Sequence, residues 1–184
     1  MNKRIFLLPA LFLGLIFTSC SEDDVEDAVD QIRTIDNISV SETASIEYLP
    51  ANIFEIPVET ELNLRGALED ETGSDETIDQ VEDIQLDDLD ISLLSADDQE
   101  NFDFVNSVTL GLRTDNLEYL EVASTDNIPS GSTTIDLTTT DQYLDEYAKS
   151  ESLMLVIQFE STEDANNLEV ELDMEFEAKI NPSL

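Results

Sequence analysis

Apolar side chains alternate with acidic ones in runs too regular for a helix, and turn residues separate those runs. Together these predict an all-β fold, an immunoglobulin-like antiparallel β-sandwich of about seven to nine strands with one or two short helices. The strongest run is Leu168, Val170, Leu172, Met174, Phe176, Ala178 and Ile180, interleaved with Glu169, Glu171, Asp173, Glu175, Glu177 and Lys179. A period of two places one set on a buried face and the other on a wet one, whereas a helix would scatter both sets around its circumference. Composition narrows the chemistry further. The 184 residues hold 44 Asp and Glu against 7 Lys and Arg, with no His, no Trp, one Cys and a formal charge of −37. Without His there is no imidazole base or histidine metal ligand, and one Cys permits neither an internal disulfide nor a cysteine zinc cluster. So negative a surface repels phosphate backbones, which argues against a nucleic-acid partner.

Taken in chain order, Asn2, Lys3 and Arg4 form a short basic start before the apolar run Ile5 to Phe17. Those 13 residues fall short of the ~20 that a membrane-spanning helix needs and suit the core of a secretory signal peptide. Thr18 and Ser19 follow, then Cys20, then Ser21-Glu22-Asp23-Asp24. Phe17-Thr18-Ser19-Cys20 resembles a lipobox, although Leu or Val is usual at the place of Phe17 and Gly or Ala commoner at that of Ser19. The relaxed pattern is similar to those of cell-surface lipoproteins of the Bacteroidota, and Ser21, Glu22, Asp23 and Asp24 resemble their export signal. The resemblance implies that Cys20 is acylated and becomes the mature N-terminus. It also implies a bacterial outer-membrane location facing the cell exterior, with the membrane as a partner through the lipid. The expected organisation is a signal peptide at 1–19, a lipidated Cys and acidic tether at 20–33, and one sandwich domain at 34–184 with an acidic loop at about 68–82.

Within that domain, Ile38, Val40 and Ile46 to Leu49 suggest a first strand or pair. Phe54, Ile56, Val58, Thr60, Leu62 and Leu64 alternate with Glu55, Pro57, Glu59, Glu61, Asn63 and Arg65, and Pro57, lacking an N–H, puts this strand at a sheet edge. Ile84 and Leu86 are out of phase with Leu89, Ile91 and Leu93, which predicts a bulge near Asp87-Asp88. Val108, Leu110 and Leu112, then Leu120 and Val122, then Ile135 and Leu137 give further strands. Leu153 to Phe159 is apolar at nearly every position, as expected of a central strand buried on both sides. Helix is expected at Asp141 to Ala148, capped by Thr140, with Tyr143, Leu144, Tyr147 and Ala148 on one face; Ser95 to Asn101 suggest a short turn.

Chemistry is sparse. Clustered carboxylates suit Ca²⁺, and the weak candidates are Asp87, Asp88 and Asp90 at the bulge and Asp97, Asp98 and Glu100 beyond it. Asp70, Glu71, Asp75, Glu76 and Asp79 form a third group. The stretch from Asp97 departs from an EF-hand loop, with Phe102 where the pattern requires Gly. No resident cofactor and no catalytic residue is expected. The expected function is a non-catalytic structural or interaction role, with a surface protein or glycan as partner. The alternatives are a Ca²⁺-dependent adhesion or glycan-binding module and a carboxylate-pair hydrolase. Carboxylates crowded on one strand face are expected to have raised pKa values.

Overall fold

The structure, a computed structural model, describes residues 33–51, 58–72 and 78–181. The chain divides into two units, 1–31 and 32–184, and the first lies wholly outside the described residues, with Cys20 and Ser21 to Asp24 in it. Pro57 also lies outside them. The described residues form nine strands in two antiparallel sheets: β1 (Arg33–Leu49), β2 (Val58–Glu61), β3 (Val81–Ser95), β4 (Val105–Arg113), β5 (Leu120–Thr125), β6 (Thr134–Asp136), β7 (Thr138–Thr139), β8 (Met154–Ser161) and β9 (Ala165–Ile180). One sheet has the order β1-β9-β3-β6 and the other β2-β8-β4-β5-β7, so the expected all-β sandwich is what forms. Two short helices complete it, α1 (Leu64–Thr72) and α2 (Asp145–Ala148).

β9 is the axis of the four-stranded sheet, flanked by β1 and β3 along almost its whole length. All seven apolar residues from Leu168 to Ile180 are buried, while Asp173 and Glu175 are exposed. The bulge expected at Asp87-Asp88 is present as a register shift between Leu86 and Asp88, and it returns Leu89 and Ile91 to the core. A second pair of irregularities lies one step further along, opposite the C-terminal end of β9. Asn37 (φ 61°) on β1 and Asp83 (φ 54°) on β3 adopt the left-handed conformation, which Asn and Asp tolerate better than other residues with a Cβ. In the other sheet β8 is an interior strand between β2 and β4, and β2 is an edge strand as expected. Leu155, Ile157 and Phe159 face the core. On the outer face only Val156 is buried, whereas Gln158 and Glu160 are half-buried, so burial on both sides holds at one position rather than along the strand. Val156 lies between Glu59 of β2 and Gly111 of β4, on the face where an ion pair joins Arg113 to Glu59 across β8. Gly111 is required there, because a Cβ would overlap the Tyr119 ring and come within 2.7 Å of the Leu120 backbone oxygen.

Several expectations are corrected. Residues 64–72, assigned to a strand end and an acidic loop, form α1. Asn63 Oδ1 accepts the Gly66 N–H at 3.1 Å, capping a helix that buries Leu64 and Leu68 one turn apart and pairs Arg65 with Glu69 at 2.7 Å. Thr140 caps nothing: its N–H donates to the Val122 oxygen and its hydroxyl has no partner. The N–H of Leu144 is drawn to the Ile84 oxygen, leaving α2 a single turn, with Leu144 and Ala148 buried and Tyr143 57% exposed. The segment from Ile135 to Leu137 is no single strand either, since β6 ends at Asp136 in one sheet and β7 begins at Thr138 in the other. Buried Leu137 marks the crossing.

Candidate functional site

Acidic side chains crowd the outer face of the β1-β9-β3-β6 sheet. Because the inner positions of β9 are all apolar, its acids must point outward, and register decides what each one meets. Asp173 lies opposite Asp90 of β3, and Asp90 in turn opposite Asp136 of β6, so three carboxylates share one row. Asp88 lies opposite Glu175, and Ser95 donates a hydrogen bond to Glu169 at 3.4 Å. Like charges directly opposite one another on a sheet are unfavourable. The cost shows at Asp90, whose pKa is raised above the usual aspartate value of 3.8, first by burial and then by Asp88, Asp136 and Asp173. On the far side of β9 the row changes character. Ser39, Ser41, Thr43 and Ser45 of β1 lie opposite Glu175, Asp173, Glu171 and Glu169. The face therefore grades from small hydroxyls at the β1 edge to paired carboxylates at β3 and β6.

The calcium candidates are dispersed. Among the described residues, no three His, Cys, Asp or Glu side chains converge closely enough to hold a metal ion. Asp87, Asp88 and Asp90 are spread along β3, and Asp90 shares a row with Asp136 and Asp173 of the neighbouring strands. Asp97 and Asp98 are engaged in the fold: Asp97 accepts from the Asn167 side chain at 2.6 Å and Asp98 from that of Asn166 at 3.0 Å. These bonds hold the first residues of β9, where Asn167 adopts φ 49°, against the end of β3. Glu100 is exposed in the following loop. Of the third group, Asp70 and Glu71 are exposed on α1 and Asp79 is exposed before β3, while Asp75 and Glu76 lie outside the described residues.

A groove of about 670 Å³ follows the seam where the chain crosses between sheets, lined by hydroxyls such as Ser107, Thr109, Ser124 and Thr138 together with Asp126 and Asp136. Nothing in the local pattern of any one strand marks this groove or the Asp173–Asp90–Asp136 row, because both depend on which distant strands are neighbours. No helix among the described residues is long and apolar enough to cross a membrane.

No family model matches the chain, and no curated protein matches it. Eight solved chains match in structure. One, titled Desmodium yellow mottle tymovirus, is 12% identical with a TM-score of 0.32, the match covering 100% of this chain and 98% of that one.

Proposed function

We propose that this is a lipid-anchored protein of the bacterial outer membrane, exposed to the exterior, with a non-catalytic interaction role. The observation that carries the reading is the apolar run Ile5 to Phe17, followed after Thr18 and Ser19 by the chain's one cysteine, Cys20, with Ser21-Glu22-Asp23-Asp24 immediately after it. The anchoring chemistry follows from methylene burial. One acyl chain, at ~0.8 kcal/mol per buried CH₂, binds reversibly, whereas two or more hold a protein stably. An interaction role is supported by the open face of acids and hydroxyls on the β1-β9-β3-β6 sheet, which offers many charge contacts to a macromolecule.

The test is Cys20→Ala. The variant is expected to leave the membrane fraction and partition into the aqueous phase of a detergent separation, while the parent chain stays with the detergent. Identical partitioning of the two would refute the anchor. Replacing Glu22, Asp23 and Asp24 together by Ala should preserve lipidation but abolish protease accessibility on intact cells.

A further inference from the structure

β1 is a 17-residue strand at the end of its sheet, and among the described residues no strand pairs with its other side. Every second residue of such an edge turns its N–H and C=O away from the sheet. Proteins blunt long edges with Pro, Lys, bulges, inward-pointing charges or a covering helix; here α1 packs near β1, and Glu42 is half-buried among its core-side residues. From Thr34 to Leu49 β1 has no Pro and no Lys, and its one register shift lies between Ile35 and Ile38. From Ile38 to Ile46 the pairing with β9 is unbroken. The other sheet ends in β2, only four residues long.

We propose that this edge is a strand-addition site for an extended basic segment carrying Lys or Arg at every second position. Charge selects the occupant. A strand added beside β1 would run two strand spacings from β9, roughly 10 Å. On the outer face β1 interposes only Ser39, Ser41, Thr43 and Ser45, all exposed, each opposite one acid of β9. Long basic side chains from alternate positions of the incoming strand would lie across these hydroxyls and meet Glu175, Asp173, Glu171 and Glu169 in turn. Main-chain bonds would supply affinity, and the two-residue charge repeat specificity. A second copy of this chain is the wrong occupant. Pairing two β1 edges would bring both acid columns together, in chains that each carry −37. The proposal names the partner class of the interaction role above and rests on that reading. Its test does not involve the anchor, so its failure leaves the Cys20→Ala result standing.

The probe is a fluorescent peptide of alternating Lys and Val, titrated by anisotropy against the full chain in detergent. Its isomer with the same composition but the lysines in one block should bind about three- to tenfold more weakly, on the scale of a few exposed ion pairs. N-methylation of one alternate set of peptide amides should abolish binding, and methylation of the other set should leave it unchanged. Glu171→Gln with Asp173→Asn should weaken binding about three- to tenfold, while Glu118→Gln with Asp126→Asn should not. Equal binding of both isomers, or equal effects of both methylation patterns, would reduce the interaction to diffuse charge and overturn the proposal. So would absence of binding, or self-association of the chain that Thr43→Pro abolishes.

Discussion

A carboxyl group is most easily protonated where burial and like charge act together, and Asp90 has both. It is half-buried, with Asp136 and Asp173 directly opposite on its two neighbouring strands. Its pKa is therefore raised in the folded state. Between the unfolded and folded values the folded chain binds more protons, so stability falls as pH rises through that window. Asp90→Asn is expected to raise the melting temperature at neutral pH and to flatten the loss of stability above pH 4. A variant that melts lower at pH 7 would show that Asp90 contributes a favourable contact outweighing the repulsion. Lys179 shifts in the same direction for a favourable reason, and in a higher pH range. Its pKa is raised by the hydrogen bond to Asp83, 3.0 Å away. Whatever stability that pair contributes is present below the lysine range and lost as pH rises through it.

At the level of elements, the two faces of β9 should respond to substitution very differently. Phe176 is 1% exposed and lies between Ile38 of β1 and Leu86 of β3. Phe176→Ala should cost ~3–5 kcal/mol in chemical denaturation, whereas Glu175→Ala on the wet face should be close to neutral. Equal losses would refute the two-faced strand. That contrast is readable in the sequence because period two is local: each residue's face follows from its neighbours. α1 shows where this fails. Leu64 fits the alternation from Phe54 and also the one-turn spacing to Leu68, and the Asn63 cap with the Arg65–Glu69 pair settles it as helix. Thr140 errs in the other direction. Its position before an acidic stretch fits a cap, but sheet bonds to Val122 and Ile84 take the backbone that a longer helix would need. The Asp173–Asp90–Asp136 row was illegible for a different reason. It joins residues whose adjacency is set by strand order and by bulges on both sides of β9, none of which a single strand's pattern contains.

For the whole molecule, charge sets the balance. Folding gathers carboxylates that the unfolded chain keeps farther apart, so screening should stabilise the fold. The Debye length shrinks from ~30 Å at 0.01 M salt to ~8 Å at 0.15 M, and the melting temperature should rise across that range. Because the calcium candidates do not converge among the described residues, Mg²⁺ and Ca²⁺ should act alike at matched ionic strength. A saturable, Ca²⁺-selective rise would overturn this expectation and favour the calcium-dependent module.

The antiparallel pairing of β1 with β9 also gives the fold a mechanical direction. Arg33 and Ile180 share one end of the pair, and Leu49 and Ala165 the other. Tension applied upstream of Arg33 and resisted at the turn before Ala165 drags the two strands past each other, loading their cross-strand bonds in parallel. Tension between the same upstream point and Asn181 peels the pair from one end, loading those bonds in succession. Single-molecule pulling with the second handle at Glu163 should therefore rupture at higher force than with the handle at Asn181. A tether at the N-terminal end, drawn against a partner gripping the far end of the sandwich, would pull along the strong axis.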